Sequence, residues 1–209
     1  MALPTNMQKR SMPVLASCFN RLTIMKNICV LILCLLTGFA SFGQGKIDYQ
    51  NKRLINSLKK NGITGFSRLK EINSNLKGDP EIQGKFFSLL NKPEVNGIQY
   101  VFIGRVNSCR AGGCSISGSN PSNQESEYFE YLILYDSNKT VKMVEVYNYA
   151  ATHGYEITAK GWLKQFAGFS GNDTLEVNKN IDAISGATIS VYAITNDVQL
   201  KTKILKLMN

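Results

Sequence analysis

The chain has 209 residues, 44% of them apolar and 19% charged, a balance that fits one globular domain with a short appendage and excludes collagen-like and disordered classes. The formal net charge is +9. The lysines and arginines are scattered along the chain and lack the clustered stripe with interleaved aromatics that a nucleic-acid surface needs, so nucleic acid is excluded as a partner and a solvated basic surface is expected.

The first 43 residues do not read as part of a fold. The uncharged run from Asn27 to Gly45 contains the apolar stretch Ile28–Leu36, preceded by Lys26 and followed by small residues, which is the pattern of a secretory signal peptide. Ser41-Phe42-Gly43 places small residues where a signal peptidase reads, so cleavage is expected after Gly43, with Met25 as a candidate true start. An uncleaved helix anchoring the protein to the membrane is the competing reading. Removal of Lys9, Arg10, Arg21 and Lys26 with the leader takes the formal charge from +9 to +5. Cys18, Cys29 and Cys34 leave at the same point, and Cys109 and Cys114 remain. In an exported chain these two are expected to form one disulfide, closed through Arg110-Ala-Gly-Gly113, with a redox-active dithiol as the alternative.

Along the mature chain, Ile47, Leu54, Ile55 and Leu58 predict an amphipathic helix over 46–60, stopped at Asn61-Gly62. A short strand is expected around Phe66–Leu69 and a short helix over Ile82–Leu90. The branched and aromatic run Ile98–Val106 predicts a buried strand. Residues 115–126 read as an exposed loop. Glu127–Tyr135 and Thr140–Asn148, separated by Asp136-Ser-Asn-Lys139, predict a β-hairpin. Trp162, Leu163 and Phe166 fall at helical spacing within Thr158–Ala167, and Val191, Ile194, Val198 and Leu205 line one side of a final helix from Ala187 to about Leu207. The expected fold class is α+β, an antiparallel sheet covered by helices. Residues 44–100 are expected to pack as a helical and extended segment on a single domain formed by 101–209.

Chemistry concentrates at Asp182-Ala-Ile-Ser-Gly-Ala-Thr188, where a loop meets the final helix. The first turn of a helix leaves backbone N–H groups without internal partners, and with the helix dipole these favour a phosphate. Ser185 is expected to cap the helix, Gly186 and Ala187 to keep the approach open, and Thr188 to hold its hydroxyl within the first turn. Five specified positions recur by chance in about one of several thousand chains of this length. The segment resembles the flavinylation motif of the FMN-binding domains found in the flavin subunits of the sodium-pumping NADH:quinone reductase and of Rnf-type electron-transfer complexes. The resemblance extends upstream to Trp162-Leu-Lys-Gln-Phe166 and covers roughly Glu127 to Lys203. It implies a single FMN-binding domain with FMN as cofactor, joined through its phosphate to Thr188 by a separate flavin transferase. Asp182, Ser185, Gly186 and Ala187 then form the recognition sequence. It also implies a redox partner protein, such as a membrane electron-transfer complex.

One segment departs from those relatives. They carry a Glu-Thr-Pro-Gly-Leu-Gly-like loop before the tryptophan, and this chain has Ala151-Thr-His-Gly-Tyr-Glu-Ile157, so a different flavin environment is expected. His153, Tyr155 and Trp162 are the candidate ring contacts, each weighed against an ordinary structural role. The expected function is an exported electron-transfer flavoprotein, an electron carrier rather than a stand-alone oxidoreductase. The alternatives are a disulfide-stapled exported binding module without covalent flavin, and an FMN-dependent reductase with its own substrate.

Overall fold

In a computed structural model, the chain separates into two compact units, Met1–Gly45 and Lys46–Asn209, and the structure describes residues 46–72, 83–90, 96–110 and 126–208. The leader expected over 1–43 lies outside the described residues, as do residues 115–125 of the loop expected over 115–126, whose last residue, Ser126, instead begins a strand. Among the described residues no helix is long and apolar enough to cross a membrane.

The second unit is α+β. Five strands, β1 (Leu69–Ile72), β2 (Gly84–Leu89), β3 (Tyr100–Arg110), β4 (Ser126–Tyr135) and β5 (Val141–Tyr149), pair antiparallel in the order of the chain. The predicted hairpin is β4 and β5, with Leu132 opposite Glu145 and Ile133 opposite Val144. The segment before residue 101 adds α1 (Lys52–Lys60), β1 and β2, and the two strands extend the same sheet. The short helix expected over Ile82–Leu90 is instead β2, whose Phe86 and Phe87 pair with Phe102 and Val101 of β3. A brief apolar run has no period of its own, and pairing with a distant strand decides its form.

Successive residues of a strand point to opposite faces, and here both faces are covered. On one, Phe102, Tyr131, Ile133 and Tyr135 pack against Val191, Ile194 and Val198 of α3 (Thr188–Leu207). On the other, Val101, Ile103, Leu132 and Leu134 pack against Leu54 and Leu58 of α1. Helix α3 is rich in branched residues of modest helix propensity. What holds it is the burial of Val191, Ile194, Val198, Ile204 and Leu205, each contributing about 1.5–3 kcal/mol. Gly104 lets the Phe102 ring lie across the strand, because a Cβ there would fall 2.4 Å from that ring.

The buried charges inside the sheet, Arg105 and Glu130, are paired. Arg105 meets Glu130 at 2.6 Å and lies 3.8 Å over the Tyr128 ring, while Asn148 donates to the other oxygen of Glu130 at 3.1 Å. Under α3, Lys201 is fully buried and 2.9 Å from Asp197, which also accepts from the Tyr131 hydroxyl.

Burial pushes the phenols of Tyr131, Tyr135 and Tyr147 well above their ordinary value, and that of Tyr49 up to about 12. A folded-state pKa above the unfolded value of 10.0 means that the stability these groups contribute is complete below pH 10 and is lost as the pH rises toward their folded values. Urea unfolding followed from about pH 8 to 12 is therefore expected to show stability falling from about pH 10 upward. A flat profile across that range would contradict the buried phenols.

Candidate functional site

Three pieces of chain meet at the N-terminal end of α3. The first is the motif itself. Ile181 and Ala187 are 1% and 2% exposed and fix its two ends in the core, so the residues between them arch outward, with Asp182, Ser185 and Gly186 exposed. The Ala187 N–H closes a turn on the Ile184 carbonyl at 3.1 Å. Gly186 stands at the third position of that turn with φ 80°, the conformation a type II turn requires there and one that favours glycine. A Cβ at Gly186 would meet nothing within 4 Å, so the backbone angle and not lack of space calls for glycine. Because the turn ends at Ala187, the helix starts one residue later, with Thr188 as its first residue.

This corrects the expectation that Ser185 caps α3. The capping position belongs to Ala187, and no side chain fills it. Ala187 is also part of the core rather than a small residue left open for an approaching group. The first helical bond runs from the Val191 N–H to the Ala187 carbonyl at 2.9 Å, so the N–H groups of Thr188, Ile189 and Ser190 have no partner within the helix. No acidic residue lies in the first turn. Thr188 is exposed, with its hydroxyl at the positive end of the helix dipole.

The second piece is the broken helical segment that replaces the continuous helix expected over Thr158–Ala167. It consists of a 3-10 helix at Tyr155–Thr158, the short α2 (Lys160–Leu163) and a second 3-10 helix at Lys164–Phe166. Ile157, Leu163 and Phe166 pack into the core. Trp162 and Gln165 then grip the Asp182 peptide from both sides: the indole N–H donates to the Asp182 carbonyl at 2.8 Å, and the Asp182 N–H donates to the Gln165 amide oxygen at 2.8 Å. Trp162 also stands edge-on to Phe166 at 5.5 Å. Its place is thus as a clamp on the start of the motif, with its one donor engaged.

The third piece is the loop that departs from the relatives. Tyr149, at the end of β5, stacks on Phe129 at 5.7 Å and meets Tyr155 edge-on at 5.6 Å. Its hydroxyl donates to the His153 carbonyl and lies 3.0 Å from the Ser190 hydroxyl, which is 2.7 Å from that of Ser108 in β3. A carbonyl can only accept, and each hydroxyl has one proton, so the direction of the chain is set: Ser108 donates to Ser190, Ser190 to Tyr149, and Tyr149 to His153. Burial raises the Tyr149 phenol, against a lowering contribution from the Ser190 and Ser108 hydroxyls. Gly154, at φ 88°, passes so close that a Cβ would fall 2.6 Å from the Ser190 oxygen. The loop is thereby fixed against the first turn of α3.

Asp182, Ser185, Gly186, Ala187 and Thr188 are therefore contiguous on the arch, with Trp162 tied to it through Asp182. His153 and Tyr155 are tied to it through Tyr149 and Ser190. The imidazole of His153 is exposed, and the loop holds by that residue's backbone. Sequence reasoning missed Ser108, Tyr149, Gln165 and Ser190. Gln165 lay within the segment carrying the resemblance, and Ser190 two residues beyond Thr188, but no pattern marked either. Cys114 and the Cys109 side chain lie outside the described residues.

An uncapped helix end without acidic residues, an open Gly186 and an exposed hydroxyl suit a group that brings a phosphate and an attachment point. Such a helix end, on an α+β sheet, is the kind of site that a phosphate-bearing cofactor occupies. Residues 128–201 match the family model described as FMN-binding domain, and this part of the chain is an FMN-binding domain with FMN as its cofactor. No curated protein matches the chain.

Proposed function

We propose that the protein is an exported electron carrier whose FMN is joined through its phosphate to the Thr188 hydroxyl oxygen. The observation that carries this reading is the position of Thr188, exposed at the first residue of an uncapped helix whose preceding arch is clamped at Asp182 and whose first turn is fixed through Ser190. FMN, when bound, supplies reversible electron uptake, and the chain supplies its position and surroundings. The N–H groups of Thr188, Ile189 and Ser190 would hold the phosphate, and the Trp162 and Gln165 clamp keeps Asp182 and Ser185 presented outward.

That exposure suits recognition by a flavin transferase. In the transfer the Thr188 oxygen displaces AMP from FAD at the phosphorus of the FMN half. One P–O bond forms and one breaks, and the hydroxyl proton leaves with the transferase. A covalent tether keeps the cofactor with a protein that works on the periplasmic side of the membrane, where its redox partner would be another protein or a membrane complex. A Cys109–Cys114 disulfide belongs to the same reading of an exported chain.

The test cycles the protein, purified from cells that express a flavin transferase, through anaerobic reduction with dithionite and re-oxidation with ferricyanide. The flavin absorbance is expected to return in full over repeated cycles and to stay with the protein after denaturation and filtration. Loss of the flavin to the filtrate would contradict a covalently loaded carrier.

A further inference from the structure

Most large apolar side chains among the described residues of the second unit are covered; of the exposed ones, Leu90 follows β2 and Leu207 ends α3, and the other three cluster around Thr188. Tyr155 is 67% exposed, Ile189 42% and Tyr192 45%. Along α3 the exposed positions begin with Thr188, Ile189 and Tyr192, continue as Asn196 and Lys203 and end with Leu207, so the stripe is apolar over the turns next to Thr188, polar through its middle and apolar again only at its last residue. The core does not account for these residues, because α3 buries its other side.

The geometry of a helix relates Tyr192 to Thr188 directly. Residues four apart are neighbours on the surface, side chains tilt toward the N-terminus, and long side chains lean over the preceding turn. The Tyr192 ring therefore covers the turn that carries Thr188. The ribityl chain of FMN is long enough to pass one helical turn, about 5.4 Å, so a flavin tethered at Thr188 reaches this ring. Trp162 is less suited, since its indole N–H is held by Asp182 and its edge packs on Phe166.

We infer that the isoalloxazine of the FMN on Thr188 lies against the Tyr192 ring, with Ile189 beside it. The inference rests on Thr188 as the attachment point. It removes the exposed apolar surface at the start of α3 from water and gives the flavin an aromatic neighbour, an arrangement that flat rings favour. Contact has an optical consequence. On excitation, one electron passes from the phenol to the flavin and returns, which quenches emission with no net chemical change, and phenyl or alkyl side chains do not do this.

The experiment compares Tyr192→Leu, Tyr192→Phe and Tyr192→Trp with the wild type, each made alongside an active flavin transferase, by intact mass and flavin fluorescence. The half-exposed position leaves the fold little affected. All are expected to carry one FMN less water, with the Leu and Phe variants several-fold brighter than the wild type and the Trp variant as dark as it. A Tyr192→Leu protein that carries FMN and remains as dark as the wild type overturns the inference, as does brightening in Tyr155→Leu alone, which would seat the ring against Tyr155. A wild type without covalent FMN would instead defeat the attachment at Thr188, a failure the mass reveals before any fluorescence is read.

Discussion

Thr188→Val is expected to abolish covalent FMN completely while leaving the fold intact. Valine keeps the shape of threonine and removes the one oxygen that can form the phosphoester. Thr188 is exposed and makes no capping bond, and Val and Thr have similar helix propensities, so the change in stability should stay within about 0.5 kcal/mol. Attachment is thus separated from folding, which few substitutions near a helix start allow. Intact mass and urea unfolding, run side by side on wild type and variant, read the two quantities independently. A variant that keeps the full FMN mass would place the bond on another residue.

The largest expected effect on stability lies at the other side of the same helix. Lys201 is 0% exposed, 2.9 Å from Asp197 and 5.7 Å from the centre of the Phe102 ring, and Tyr131 donates its hydroxyl to the second Asp197 oxygen. Asp197→Ala removes the carboxylate that both groups address in the interior. Breaking a buried charge pair from one side costs about 3–5 kcal/mol, a large share of a typical total of about 5–15 kcal/mol. Replacing these three groups together by apolar ones, as Asp197→Leu with Lys201→Met and Tyr131→Phe, removes both charges and the hydroxyl bonded to them and is expected to recover most of that loss. Urea unfolding at pH 7 decides the matter. An Asp197→Ala protein as stable as the wild type would show that the cluster contributes little.

The two predictions draw on parts of the protein that differ in how far the sequence reveals them. The β4–β5 hairpin and α3 were legible because their signals are local: alternation around a polar turn, and apolar spacing over many residues. The Asp182–Thr188 motif stood out because its five specified positions lie within one stretch. Helix α3 was nevertheless expected to begin under a Ser185 cap, whereas the positive φ at Gly186 carries the chain through a turn and delays the start to Thr188. Nothing in the sequence sets Lys201 apart from Lys203 and Lys206 in the same stretch, and only the packing of α3 on β3 and β4 puts it indoors. The relay from Ser108 through Ser190 to Tyr149 joins three elements far apart in the chain, and common hydroxyl residues carry no mark of their future neighbours. Strand β2 was mistaken for a helix for the related reason that its form depends on β3.

Thr188 as the point of attachment is tested most directly by the tryptic peptide that runs from Asn180 to Lys201, taken from protein made alongside an active flavin transferase. The account predicts that this peptide carries FMN less one water and that fragmentation assigns the added mass to Thr188. An unmodified peptide, with the flavin recovered free after denaturation or on another residue, would contradict it.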